Sequence, residues 1–164
     1  MTTITRYACG LDHRAMAELL NKIINAGGTT ALTSTVSKSE IASWVAKDPD
    51  KSAWFVAEDT AGKLLGFQWI GPSKMHGPDA CDIATFVALG QTGLGTGSAL
   101  FEKTKQAASG LAYRWINATI RADNAGGLAY YQSRGFETYT TQKDVPLSDG
   151  QIVDRISKRF ELST

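Results

Sequence analysis

The stretch Leu89-Gly-Gln-Thr-Gly-Leu-Gly-Thr-Gly-Ser-Ala-Leu-Phe101 decides the architecture, because it joins an apolar strand to a helix through a glycine-rich turn. Upstream of it, Cys81-Asp-Ile-Ala-Thr-Phe-Val-Ala-Leu89 has the β-branched and aromatic make-up of a buried strand. Downstream, Leu100, Phe101 and Thr104 share one face of a helix expected from about Gly97 to Ala108. At the junction Gly93, Gly95 and Gly97 stand at alternate positions. Glycine tolerates positive φ and lets another group approach the backbone closely. Exposed N–H groups at a helix N-terminus, helped by the helix dipole, make an anion site suited to phosphate or pyrophosphate. A plain strand-to-helix turn needs one glycine, so three alternating ones favour the anion site.

Working outward, Ile4–Tyr7 reads as a short strand, and Asp12 stands where it can cap a helix through Met16, Leu19, Leu20, Ile23 and Ile24. Gly27-Gly28 ends that helix. Ser37 opens a second one, with Glu40 three residues on as in a capping box, and Asp48-Pro49-Asp50 stops it. Ala53–Glu58 and Lys63–Ile70 form a hairpin about Asp59-Thr-Ala-Gly62. After the glycine loop and its helix come a strand, Trp115–Ile120, and a short helix from Asn124 to Gly135. Two late strands, Phe136–Thr141 and Ile152–Phe160, finish the chain. The order β-α-α-β-β-β-α-β-α-β-β implies an α/β fold, a mixed sheet with helices on its faces, in one domain over residues 1–164.

Composition narrows the function. The 164 residues are 43% hydrophobic and 20% charged, which excludes disordered, collagenous and coiled-coil chains. Lys+Arg number 17 against 16 Asp+Glu, a net +1, without the basic excess of a nucleic-acid binder. Cys9 and Cys81 are too few for a disulfide framework and read as reduced thiols. Met1–Gly10 lacks a signal-peptide pattern. The uncharged stretch Ile83–Phe101 holds four glycines and several polar residues, so it is not a membrane helix. The expected compartment is the cytoplasm.

Two nucleotide motifs fit poorly. A P-loop needs a lysine after its last glycine, and none follows here. A dinucleotide fingerprint needs Gly-x-Gly-x-x-Gly in the first βα unit, whereas this Gly-x-Gly-x-Gly lies mid-chain. The chain instead resembles the GNAT superfamily of N-acetyltransferases. That family carries Arg/Gln-x-x-Gly-x-Gly/Ala after its fourth strand, and Thr92-Gly-Leu-Gly95-Thr-Gly97 stands at that place. Thr92 departs from the usual Arg or Gln. Downstream, Asn124-Ala-Gly-Gly-Leu-Ala-Tyr-Tyr-Gln-Ser-Arg-Gly-Phe136 resembles the family's Asn-x-x-Ala-x-x-Leu-Tyr-x-x-x-Gly-Phe, with Gly127 where Ala or Ser is frequent. Leu20–Ala31 and Asp82–Val87 further resemble the branch that acetylates phosphinothricin and small amino-acid analogues.

The resemblance implies acetyl-CoA as co-substrate and no metal. It implies that Thr92, Gly93, Gly95, Thr96 and Gly97 grip the pyrophosphate. Backbone groups at Phe86, Val87 and Ala88 would hold the pantetheine arm and the thioester oxygen. Asn124 and Gly127 would contact CoA, though Asn124 is also placed as an N-cap. Tyr131 would assist the departing thiolate, and Tyr130 would line the acetyl-CoA wall or the core. Asp82 lies near where that branch carries a Glu and is the candidate base, ahead of Glu58 and Asp123. Thr30, Trp69 and His76 are candidate acceptor contacts. No His has a Cys or acidic partner at metal-ligand spacing. The expected activity is acetyl transfer to a small primary amine by direct attack in a ternary complex. The rivals are acetylation of a protein N-terminus or lysine, and a CoA- or nucleotide-binding module without catalysis. The resemblance also implies a homodimer, for which Gln151–Phe160 offers apolar residues on a late strand.

Overall fold

The computed structural model describes residues 2–91 and 95–162, so Thr92 and Gly93 of the glycine loop lie outside the described residues. Ile4–Tyr7 forms β1. The 14-residue α1, His13–Ala26, follows because Met16, Leu19, Leu20, Ile23 and Ile24 fall on one buried face. Asp12 occupies its N-cap position, yet its carboxylate does not cap the helix. Both its oxygens take the Arg6 guanidinium at 2.8 Å, and Oδ2 also accepts the Cys9 N–H at 2.8 Å. Gly27, at φ +73°, ends α1. The expected capping box of Ser37 and Glu40 opens α2, Lys38–Ala46.

The remaining elements are β2 (Ala53–Glu58), β3 (Leu64–Pro72), β4 (Ala80–Val87), α3 (Thr96–Gly110), β5 (Trp115–Arg121), α4 (Ala125–Ser133), β6 (Glu137–Pro146) and β7 (Ile152–Glu161). The order matches the sequence reading, with boundaries moved by a few residues. The largest move is β6, which runs past Thr141 because register shifts between Thr138 and Thr140 and between Gln142 and Val145 let pairing resume. All the strands join one sheet in the order β1-β2-β3-β4-β5-β7-β6, and only β4 and β5 run parallel. β7 is therefore an inner strand between β5 and β6, and the edges are β1 and β6. The apolar side chains of Gln151–Phe160 thus do not mark an edge.

Side chains alternate across the sheet and build a core on each face. Phe55, Ile70, Cys81, Ile83, Ile116 and Ile120 pack under α3 and α4. Val56 and Phe67 pack under α1 and α2. Among the described residues no helix is long and apolar enough to cross a membrane.

Candidate active site

The feature that makes a site is a parting of strands. β4 and β5 pair only from Ala80 opposite Trp115 to Asp82 opposite Asn117, after which they diverge. β4 stays zipped to β3 as far as Val87. The Ala88 N–H donates to Leu65 O at 2.8 Å, and Ala88 O accepts from the Gln91 N–H at 2.9 Å. In an antiparallel ladder successive residues turn their backbone groups to opposite sides. Phe86 therefore faces β3 along with Ala88, and its carbonyl lies against Gly66. Thr85 and Val87 turn their N–H and C=O into the slot that β5 has vacated. Of the three expected backbone contacts, Val87 alone faces the slot, and Thr85 joins it. Counting the alternation back from the turn would have found Thr85, but which parity faces the slot depends on the partner strand.

The glycine loop leads into α3. Gly95 occupies the N-cap at φ +87°, a left-handed conformation that favours glycine, with open space where a side chain would stand. The first intrahelical bond runs from the Ala99 N–H to Gly95 O. The N–H groups of Thr96, Gly97 and Ser98 thus have no partner within the helix and point out of its N-terminus. Thr96 itself is buried, with its methyl against Gly66. Gly97 differs from the expectation. A Cβ there would meet Tyr130 Cε1 at 2.6 Å, so the missing side chain of Gly97 makes room for an aromatic ring rather than for pyrophosphate, while its N–H stays free at the helix start. Gly127 is similar, since its Cβ would meet Asn124 Nδ2 at 2.5 Å. Asn124 caps α4 by accepting the Gly127 N–H at 2.9 Å, and it donates to Thr29 O at 3.2 Å.

On the α3/α4 face Tyr131 is buried, with its hydroxyl 2.8 Å from Thr85 Oγ1. Burial raises its pKa above the ordinary tyrosine value, so the phenol stays protonated. Proton transfer from it is then more uphill than from free tyrosine, so the phenol is suited to donating a hydrogen bond. Tyr130 lies over Gly97 and donates to Gly97 O at 2.7 Å; burial pushes its pKa up to about 12.

On the opposite face the floor is polar. Asp82 stands where β4 and β5 part. Its Oδ1 accepts from Asn117 Nδ2 at 3.0 Å and its Oδ2 from the Lys74 N–H at 3.3 Å. Asn117 Oδ1 in turn accepts the Tyr139 hydroxyl. That commits Tyr139's single proton, so the His76 Nε2 found 2.8 Å from Tyr139 must be the donor. His76 thus reaches Asp82 through Tyr139 and Asn117. Trp69 lies on the same face, and its indole covers Gly71, the cross-strand partner of Asp82; a side chain at Gly71 would collide with that ring. The α1–α2 loop crosses the far end of this floor. Thr30 O accepts from Arg121 Nη1 at 3.1 Å, and Thr33 meets Ser148 at 2.5 Å. Thr30 Oγ1 is turned back to the Leu32 N–H.

The two lesser base candidates are engaged elsewhere. Glu58 binds Arg6 at 3.1 Å on the β1–β2 side, and Asp123 is held by Arg121, which lowers its pKa. Sequence reasoning missed Gln68, Thr85, Asn117, Tyr139 and Arg155. Arg155 stands opposite Arg121 on this floor and makes no hydrogen bond or ion pair among the described residues, with its Nε buried. Apart from Thr85, which falls within Asp82–Val87, these residues lie in no motif, and a polar residue at strand spacing gives no signal of its own.

Comparison with known proteins bears on the family and the fold. The model of the acetyltransferase (GNAT) family matches residues 15–136. Among solved structures, a GNAT superfamily phosphinothricin acetyltransferase from Sinorhizobium meliloti, in complex with AcCoA, is 21% identical at a TM-score of 0.86, covering 99% of this chain and 90% of that one. A ribosomal-protein-alanine N-acetyltransferase from Brucella melitensis is 23% identical at 0.88, covering 97% and 99%. An N-acetyltransferase from Staphylococcus aureus Mu50 is 21% identical at 0.87, covering 99% and 100%. No curated protein matches the sequence closely enough to count as a relative.

Proposed function

The chain belongs to the GNAT acetyltransferase family, and from that premise we propose that it transfers the acetyl group of acetyl-CoA to the primary amine of a small, amino-acid-like molecule by direct attack in a ternary complex. The observation that carries this reading is the slot between β4 and β5, with a carboxylate at its apex on one face and a buried phenol on the other. Acetyl-CoA is the co-substrate. The N–H groups of Thr96, Gly97 and Ser98, with Gly95, are suited to its pyrophosphate, and the Val87 N–H faces the slot where a thioester oxygen would lie.

The acceptor enters from the polar floor. An alkyl ammonium has a pKa of roughly 10 and must lose a proton before it attacks. Asp82 takes that proton directly or through water. The amine nitrogen bonds to the acetyl carbon and gives its second proton to water, the carbon–sulfur bond breaks, and the thiolate leaves with a hydrogen bond from Tyr131. The tethered α1–α2 loop limits the length of the floor and favours a small acceptor over a peptide. Arg155, with its buried Nε unpaired among the described residues, suits an acceptor carboxylate. Two unpaired thiols, Cys9 and Cys81, suit a cytoplasmic enzyme acting as one catalytic domain. A homodimer belongs to the same proposal, with Ile152 exposed on the β6–β7 hairpin; light scattering at micromolar concentration tests it.

The test of the activity is thiol release from acetyl-CoA across amino acids, polyamines, aminoglycosides and peptides. Turnover with an amino acid, reduced about 10²-fold by Asp82→Asn, supports the reading. Turnover with peptides alone transfers the site to a protein substrate, and none with any amine leaves a binding module.

A further inference from the structure

We propose that Gln68 and Thr85 are positioning residues that aim the Tyr131 phenol proton into the slot between β4 and β5. The inference rests on the reading of Tyr131 as the group that meets the leaving thiolate. Four polar side chains lie together on the α3/α4 face of the sheet. Gln68 Nε2 is 2.8 Å from Thr85 Oγ1 and 3.1 Å from the Tyr130 hydroxyl. Thr85 Oγ1 is 2.8 Å from the Tyr131 hydroxyl, and the Tyr130 hydroxyl is 2.7 Å from Gly97 O.

The directions of three of these bonds follow from one fixed end. Gly97 O is a backbone carbonyl and can only accept, so the single proton of Tyr130 is committed to it. Tyr130 can then only accept from Gln68, and the amide must present its NH2 group rather than its oxygen. The same NH2 supplies a proton to Thr85 Oγ1. Thr85 keeps one proton of its own. Its remaining partner among the described residues is the Tyr131 hydroxyl, where either oxygen can donate; in the proposed arrangement Thr85 is the donor, because accepting from Gln68 polarises its own O–H. Tyr131 accepts from Thr85, and its own proton is turned away from Thr85. Tyr131 belongs to the buried cluster that also holds Ile83 of β4 and Ile116, Ala118 and Ile120 of β5, on the α3/α4 face of both walls of the slot. A thiolate leaving through that slot meets a phenol whose proton has no competing acceptor among the described residues. Without Thr85 or Gln68 the phenol is free to rotate that proton elsewhere.

The arrangement also explains why Gln68 is wholly buried with its Oε1 unpartnered. An unpaired buried acceptor costs stability. A residue kept only for stability would not leave its amide half satisfied, whereas a residue kept for its two donors would.

The test is a double-mutant cycle read in single-turnover thiol release from acetyl-CoA with the best acceptor amine. Thr85→Val and Gln68→Met should each slow the step about tenfold, with the KM for acetyl-CoA within twofold of the parent, and Thr85→Ser should restore it. In a Tyr131→Phe background, neither Thr85→Val nor Gln68→Met should add a further loss. Equal losses in both backgrounds, or a Thr85→Val rate within twofold of the parent, overturn the inference and leave the proposed activity standing. A Tyr131→Phe rate within twofold of the parent overturns both the acid role and the inference. If the parent turns over no amine, the activity fails; the same cycle is then read in acetyl-CoA hydrolysis, which releases the same thiolate and decides the inference separately.

Discussion

Replacing Gly97 by Ala separates packing from ligand binding at the start of α3. The added Cβ would stand 2.6 Å from Tyr130 Cε1 and 3.1 Å from Cζ. Carbon atoms in contact keep about 3.5–4.0 Å, so the ring must retreat by roughly 1 Å. That movement breaks the 2.7 Å bond from the Tyr130 hydroxyl to Gly97 O, at a cost of about 1 kcal/mol. Overpacking adds about 1–3 kcal/mol, and alanine's better helix propensity returns about 0.5–1 kcal/mol. The net expectation is a loss of about 2 kcal/mol of stability, or a urea midpoint lower by about 1 M at a typical slope. Tyr130→Leu removes the ring that the new methyl strikes. In that background Gly97→Ala should be nearly neutral, a coupling of about 2 kcal/mol, well above the few tenths expected of independent sites. Urea unfolding of the four proteins measures it. An additive cycle, or a Gly97→Ala protein as stable as the parent, refutes the packing argument and returns Gly97 to a role toward the ligand.

Gly95→Val should behave in the opposite way: its φ of +87° strains a side chain by about 1–2 kcal/mol, but the space around it is open, so the folded protein survives while calorimetry shows acetyl-CoA affinity down at least tenfold; undiminished affinity would reduce the loop to a turn. The Arg6 guanidinium, chiefly, and the Cys9 N–H hold the Asp12 carboxyl at about 2 instead of the usual 3.8. A carboxyl lowered on folding stabilises fully above its unfolded value and loses that contribution as pH falls through the folded one, so the window lies between about pH 4 and pH 2. With Arg6 37% exposed, screening leaves about 1 kcal/mol, and Arg6→Gln should flatten the melting temperature over that window; an unchanged profile refutes the coupling. Ser37→Ala, which removes the acceptor of the Glu40 N–H, should cost about 1 kcal/mol in thermal unfolding without changing the KM for acetyl-CoA.

What the sequence determined is what neighbours in the chain decide among themselves. The apolar spacing of Met16 to Ile24 makes α1 whatever it packs on, and Ser37 with Glu40 closes a capping box inside one turn. Asp59 to Gly62 turns a hairpin, and a glycine-rich stretch marks the junction of a strand with a helix. These features led to the element order, to the family and to the neighbourhoods of Asp82, Gly95 and Tyr131. Hydrophobic periodicity and turn chemistry act over a few residues, and so they can be read without a fold.

The tertiary structure decided which of those neighbourhoods face one another. Tyr130 accounts for Gly97 from 33 residues away, Gln68 reaches Tyr130 across 62, and Asp82 meets Asn117 across 35. It also placed β7 inside the sheet, and it turned Val87 into the slot while Phe86 and Ala88 face β3. Each outcome depends on strand partner and register. A shift of one residue reverses every side chain and every backbone group, and the partner is chosen by burial summed over the whole sheet, which no local pattern in the sequence records.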